Sequence, residues 1–391
     1  MNEFQQTFVC SIASNMAQEL INQPVDTSSA LSPIEQATAL MEKQMNDTLP
    51  GFFQKMGIDA PEAVWGPSVY IDAEKDFSLN TQNNTYTATA TNTMVVFKTG
   101  ANNYTLAIAG TKATSVFDAV TEDGSVLITK KWPYGIPQGM NPKISNGTSI
   151  GVGILLTQMT DPVQGNNIAG YLKSIDNATN VITITGHSLG GALAPALALA
   201  LFGSASNLGY NFSQKAQVFA TAGPDVGNKD YYSYYSSSFK PTGATNGVSW
   251  QQYNQKIWNS LDVVPQAWAN LSVINTIYQS NGLNTPDYVK CIIRVASAAL
   301  IFDNYYSMDP DKKGQFTAKY VTPSDTPGYD CGTCAANLPT GLCDFVAEML
   351  YQHIAAYSVE FGIPVLPSAI KPCSTATELY AKKICGCGII K

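Results

Sequence analysis

The sequence predicts an α/β fold: a mainly parallel central sheet with helices on both faces, plus a helical N-terminal extension. Three observations carry this. Helical and strand-like segments alternate through the middle of the chain, the pattern of parallel strands joined by helical crossovers. A short apolar strand at 181–185 runs into a glycine-flanked turn and then into an apolar helix. The composition supports a large core, with 391 residues of which 45% are hydrophobic and only 13% charged.

Residues 1–60 read as the helical extension. Apolar residues recur at near-helical spacing over 4–20, and Ser32-Pro33-Ile34-Glu35 opens a second helix with capping-box spacing and a first-turn proline. Residues 61–391 read as one α/β domain. The Thr- and Val-rich stretch 85–98, the turn Gly100-Ala101-Asn102-Asn103 and the apolar run 104–109 predict a hairpin feeding the central sheet. A helix near 163–176, the strand 181–185, a helix from Gly190 and a strand at 216–220 follow. Residues 239–249 are rich in Gly, Ser and Thr and read as a surface loop.

Charge and hydropathy exclude two classes of partner. The net charge is −7 and basic residues cluster no further than pairs such as Lys130-Lys131, so no face is built to neutralise nucleic-acid phosphates. The longest apolar run, 189–202, contains Pro195 and is too short to cross a bilayer, which excludes an integral membrane protein. The first twenty residues carry Glu3, no basic start and no long apolar segment, so they do not read as a secretory signal.

The chemistry-bearing motif is Gly186-His187-Ser188-Leu189-Gly190-Gly191. A serine on a sharp strand-to-helix turn is held in a strained conformation, and small residues two positions away let strand and helix approach. The helix N-terminus then aims its free N–H groups at a developing oxyanion. A serine nucleophile needs a base, and the chain has two histidines. His187 adjoins Ser188 and should point away from it, which leaves His353, downstream of the serine as the Ser-acid-His order requires. Acids available between them include Asp225, Asp230, Asp262, Asp287, Asp303, Asp309, Asp311, Asp325, Asp330, Asp344 and Glu348. Asp262 fits best, because 256–261 is strand-like and Val263-Val264-Pro265 ends it abruptly, the edge at which a parallel sheet places catalytic groups.

Four blocks in order give a resemblance: Gly186–Gly191, residues 221–228 (Thr-Ala-Gly-Pro-Asp-Val-Gly-Asn), residues 259–265 (Asn-Ser-Leu-Asp-Val-Val-Pro), and His353 with Tyr357. Over roughly 85–360 they resemble the class 3, fungal-type triacylglycerol lipases. The resemblance implies an α/β-hydrolase fold, a Ser188–Asp262–His353 triad and no cofactor or metal. It also implies an oxyanion hole made by Thr111, in the block Ala109-Gly110-Thr111, and the Leu189 N–H. This chain departs from the pattern at Ala109 and Asp225, where the family carries arginine, and at Ser149-Ile150-Gly151-Val152. The 90 residues between Asp262 and His353 also make a longer segment than the family core needs.

The implied function is hydrolysis of acylglycerol esters through an acyl-enzyme, with an acyl ester or lipid, met at a lipid–water interface, as partner. Esterase or phospholipase activity on the same fold, or a non-catalytic hydrolase-like binding module, are the alternatives. In the resembled family the interval 112–148 holds a lid; here it contains Phe117, Val120, Val126, Leu127, Ile128, Trp132 and Tyr134, with a fixed surface helix and loop as the other reading. The apolar stretch 287–306 reads as a core helix or a cap element. Six of the eight cysteines (Cys331, Cys334, Cys343, Cys373, Cys385, Cys387) fall in the segment 331–391. Disulfides and an extracellular location are expected there, an all-cysteine zinc site being the alternative.

Overall fold

The computed structural model describes residues 1–110, 128–243, 247–300, 304–334, 338–365 and 371–381. The chain forms two units, one of residues 1–111 with 150–220 and one of residues 112–149 with 221–391. In the first unit, helix α1 (Glu3–Ala13) opens with a capping box in which Asn2 accepts from the Gln5 N–H. Strand β1 (Leu20–Pro24) follows, then α2 (Pro33–Lys55), whose Ser32–Glu35 capping box and first-turn proline are those the spacing predicts. Strands β2 (Glu62–Tyr70), β3 (Phe77–Asn80), β4 (Thr85–Ala88), β5 (Asn92–Lys98) and β6 (Asn103–Ile108) come next.

The stretch expected as one strand over 85–98 is therefore two. The break has a physical cause: the Thr89 N–H donates to Asp76 O and the Thr91 N–H to Tyr70 O, turning the chain out of the ladder. As a result β4 joins a separate antiparallel sheet in the order β1-β4-β3, and the N-terminal extension contributes a strand as well as its helices. The hairpin feeding the central sheet is formed by β5 and β6, antiparallel from Met94↔Ile108 to Lys98↔Tyr104.

Strands β7 (Thr129–Lys131) and β8 (Lys143–Ser145) lie in the second unit. Helix α3 spans Asn146–Thr157, and α4 (Ile168–Ser174) is capped by Asn167. Strand β9 (Val181–His187) pairs in parallel with β6 from Asn103↔Val181 to Ile108↔Gly186. Helix α5 (Leu189–Phe202) and strand β10 (Lys215–Thr221) complete the first unit, whose sheet runs β10-β9-β6-β5-β2. The interior of this sheet is apolar, with Met94 to Phe97, Leu106 to Ile108 and Val218-Phe219 all fully buried. Phe4 of α1 packs on Phe219 and Phe8 on His187. This is the α/β-hydrolase architecture, a mixed, largely parallel sheet carrying helices.

In the second unit β7 and β8 form an antiparallel pair, and Asn228 caps α6 (Lys229–Ser238). Trp132, from the interval expected to hold a lid, is buried against Tyr134 and Tyr231; residues 112–127, with Phe117, Val120, Val126 and Leu127, lie outside the described residues. The loop expected at 239–249 contributes β11 (Thr242–Gly243), which pairs with β12 (Gln252–Tyr253). Strand β13 (Gln255–Asn259) pairs in parallel with β14 (Gln315–Phe316), separated in sequence by the amphipathic α7 (Asp287–Ala299). Helices α8 (Leu342–Leu350), α9 (Ala356–Glu360) and α10 (Pro372–Ala381) follow.

The 90 residues between Asp262 and His353 supply most of a hydrophobic cluster that Ala355, Ala376 and Leu379 complete. Val289, Ile292 and Ile293 of α7 meet Tyr278, Leu342, Phe345 and Met349 in one buried cluster. The stretch 287–306 thus supplies a core helix. Cys331 and Cys343 close a disulfide at the edge of this cluster, and Cys291 and Cys373 are also disulfide-bonded. Cys385 and Cys387 lie outside the described residues. No helix among the described residues is long and apolar enough to cross a membrane.

Because the Cys331–Cys343 bridge restrains the unfolded chain, replacing both cysteines by serine should cost about 2–4 kcal/mol. Denaturant unfolding of the double variant against wild type measures it; an unchanged midpoint would show that packing of the cluster alone holds the segment.

Candidate active site

The glycines around Ser188 are dictated by close packing. A Cβ on Gly186 would lie 2.3 Å from the carbonyl of Gly190, and one on Gly190 would lie 2.2 Å from Ile108 O. Any side chain at either position would push α5 off β9 and β6. Between them Ser188 sits at φ 61°, ψ −125°, a left-handed conformation unusual for a residue with a side chain and costing about 1–3 kcal/mol. It precedes the first turn of α5, so the Leu189 N–H opens a helix N-terminus. His187 places its ring against Phe8 of α1, centroids 5.6 Å apart. Thr111 lies outside the described residues.

The second unit brings Asp262 and His353 together. Asp262 is three residues beyond the end of β13 and wholly buried; its Oδ2 lies 2.9 Å from His353 Nδ1. The carboxyl group is held from two further directions. Oδ1 accepts from the Val264 N–H at 2.9 Å and Oδ2 from the Tyr357 hydroxyl at 2.9 Å. Burial, followed by the neighbouring charge of Asp262, keeps that hydroxyl protonated by raising its pKa well above the ordinary tyrosine value. The Asn259 N–H donates to the same oxygen at 3.0 Å. Tyr357 therefore ties the end of β13 to the helix that follows His353.

His353 itself lies in a π-helical turn, Tyr351–Ala355, between α8 and α9. Such a turn inserts a residue into the helical register and is often found at functional positions. Gln352 beside it is buried and fully engaged: its Oε1 accepts from Asn259 Nδ2 at 2.6 Å and its Nε2 donates to Lys319 O at 3.0 Å and Glu348 Oε1 at 2.8 Å. Asn259 and Tyr357 fall in the blocks singled out in the sequence, and Gln352 adjoins one, but only the structure gives them work. Their signal would have been a polar residue at a position otherwise apolar, as in the apolar run around Glu348.

The disulfide disposes of the zinc alternative for part of the segment. The one group of potential ligands among the described residues is Asp330, Cys331 and Cys343, and its two sulfurs are bonded to each other. Asp225, standing where arginine was expected, is wholly buried and paired with Lys256 Nζ at 2.8 Å, so the arginine has been replaced by a carboxylate with its own cation.

A family model described as lipase (class 3) matches residues 136–271, the stretch that includes Ser188 and Asp262. Over that stretch this chain is similar to the class 3 lipases. The crystal structure of M37 lipase matches over 96% of both chains at 23% identity with a TM-score of 0.65, which shows a shared lipase fold across the class 3 segment and beyond it. A propeptide complex of Rhizomucor miehei lipase aligns over 68% of this chain and 62% of its own, at 16% identity and a TM-score of 0.36. Lipase II from Rhizopus niveus aligns over 68% and 74%, at 16% identity and 0.34. No curated protein matches by sequence.

Replacing Tyr357 by phenylalanine leaves the Asn259 N–H buried without an acceptor and removes one donor from Asp262. It should cost about 1–3 kcal/mol of stability. Denaturant titration of the Tyr357→Phe variant checks this; a loss below experimental error would mean that water or a rearranged carbonyl takes the place of the hydroxyl.

Proposed function

We propose that this class 3 lipase-like protein hydrolyses carboxylic esters of acylglycerols, with Ser188 as nucleophile, His353 as base and Asp262 as the acid that orients it. The observation that carries the reading is the paired preparation of the two halves. Ser188 stands at positive φ between glycines that nothing larger could replace, and a buried imidazole is aligned on a buried carboxyl group by its Nδ1. An imidazole held by Nδ1 leaves Nε2 to accept a proton.

In this mechanism Nε2 of His353 takes the Ser188 proton as Oγ attacks the ester carbonyl. The carbonyl π electrons move to the oxygen, and the N–H of Leu189, with Thr111, stabilises the resulting oxyanion. Collapse of the tetrahedral intermediate expels the alcohol, which leaves with the proton from His353. Water, deprotonated by the same imidazole, then attacks the acyl-serine and releases the fatty acid. Asp262 keeps Nδ1 protonated throughout and stabilises the imidazolium.

The disulfides suit an oxidising, extracellular setting. A lipid–water interface is the proposed working environment, with residues 112–148 as the covering element. In the described part of that interval Trp132 is buried against Tyr134 and Tyr231. Esterase action on soluble esters by the same triad is the second reading, and it applies if the Trp132 packing is permanent.

Ser188→Ala should lower ester hydrolysis by at least about a thousandfold while the melting temperature stays close to wild type. Labelling by a p-nitrophenyl alkylphosphonate, mapped by mass spectrometry, should fall on Ser188; an unlabelled protein that still hydrolyses esters would sink the assignment. His353→Gln should abolish turnover and His187→Gln should spare it. In wild type the rate should fall as pH is lowered, because a protonated imidazole cannot accept the serine proton. A rate that rises above proportion when triglyceride forms an emulsion separates lipase from esterase.

A further inference from the structure

Behind the Asp262–His353 pair lies a second buried acid, Glu348 of α8, one turn before the π turn and wholly inaccessible to solvent. It was one of several carboxyl groups that could have oriented the base, and Asp262 occupies that place. Glu348 has another connection to it. Its Oε1 accepts from Gln352 Nε2 at 2.8 Å, while Oε2 has no hydrogen-bond partner among the described residues. The Gln352 amide passes the constraint on, since its Oε1 holds Asn259 Nδ2 at 2.6 Å and its main-chain O holds the same nitrogen at 3.1 Å. Asn259 Oδ1 in turn accepts from the Leu261 and Ala318 N–H groups, fixing the loop that carries Asp262.

Resting on the triad reading above, we propose that Glu348 is a positioning residue for that reaction. Its carboxylate, acting through Gln352 and Asn259, clamps the end of β13 against the π turn and so sets the Asp262–His353 alignment. An amide donating to an ionised oxygen makes a shorter, stronger bond than one donating to a neutral acid, so the clamp is tighter when Glu348 is charged.

The surroundings make that charge conditional. The groups facing Glu348 are the phenols of Tyr278, Tyr320 and Tyr351, with Asp262 and Asp344 acting on the first two. No lysine, arginine or histidine among the described residues pairs with it. Burial therefore pushes its pKa up to about 7, against the opposing pull of the Gln352 amide and the Val321 N–H. Protonation of Glu348 thus falls near neutral pH, and acidification through that range should loosen the clamp.

Glu348→Gln is the test, because it mimics the neutral acid in shape and keeps an acceptor for Gln352. At pH 8 the variant should label with the phosphonate yet show kcat about tenfold lower at nearly unchanged KM, the order of one weakened charge-assisted bond. Its acid limb should follow a single proton where log kcat of wild type follows two. The folded pKa lies above the unfolded value of 4.5, so wild type loses stability as pH rises from about 4.5 to 7. The melting temperature of Glu348→Gln should therefore gain on wild type over that interval, whereas a purely structural loss would be uniform with pH. Wild-type kcat in a labelled variant, or a one-proton acid limb in wild type, would overturn the proposal. The latter needs no variant and so stands even if Glu348→Gln fails to fold. Retention of activity by Ser188→Ala would instead overturn the triad reading itself.

Discussion

Burying the carboxyl group of Asp262 is the constraint around which the second unit is arranged. A carboxylate with no access to water is tolerable only if its lone pairs are met by donors held in place by the fold. Three are supplied here from separate directions: the Val264 N–H, the Tyr357 hydroxyl and the ring of His353. Each ties a different segment to one point. Val264 belongs to the turn after β13, Tyr357 to the helix after the π turn, and His353 to the turn itself. Asn259 repeats the device one layer back, bonding Tyr357, Gln352, Leu261 and Ala318. Network bonds of this kind strengthen one another in a medium that screens them poorly. An imidazole placed by such a network is fixed in orientation before any substrate arrives.

Around Ser188 the constraint is steric and was correspondingly easy to read. Glycine at 186 and 190 follows from strand-to-helix contact alone, and the contacts found at 2.2–2.3 Å for a hypothetical Cβ show how little room remains. The pairing of Asp262 with His353 also follows an expectation from sequence, that an acid just past a buried strand end has few structural uses. What sequence could not convey was the polar chain behind it. Glu348 and Gln352 lie at i and i+4, which on a solvent-facing helix would be an ordinary surface pair. Only the apolar neighbours Phe345, Val346 and Met349, which surround Glu348 on every side of the helix, hint that it is buried. The break between β4 and β5 was hidden for a similar reason. Thr89 and Thr91 have strand propensity, and the long-range partners Asp76 and Tyr70 decide the turn.

The long segment between Asp262 and His353 also has a structural logic. A connection longer than a hydrolase core needs must bury an apolar face of its own or remain unordered. Helix α7 does so with Val289, Ile292 and Ile293, and α8 meets it with Phe345 and Met349 on the same helix that delivers His353. The Cys331–Cys343 bridge anchors the return of the chain to that helix. Packing in this segment and the geometry at His353 are therefore mechanically linked, since α8 runs directly into the π turn.

Strand β13 shows how the same end is reached from a sequence that hardly looks like a buried strand. All five residues are buried, yet Gln255, Lys256 and Asn259 are polar, against the apolar run that an interior parallel strand usually presents. Each is matched. Gln255 Nε2 bonds Asp309 Oδ1 at 2.6 Å, Lys256 Nζ bonds Asp225 Oδ1 and Pro265 O at 2.8 Å, and Asn259 bonds Gln352. Trp258 Nε1 also reaches Asp309, whose oxygens take the Lys313 and Gly314 N–H groups as well. A hypothetical Cβ on Gly314 would lie 2.0 Å from Lys256 O, so the neighbouring chain can come alongside only because that residue is glycine. An apolar strand in the same place could slide by two residues at modest cost, because one valine resembles another. A strand whose polar groups each have a single buried partner cannot, since every slip would strand several of them unpaired. Register is thereby fixed to the residue, and with it the position of Asp262 three residues past the strand's end.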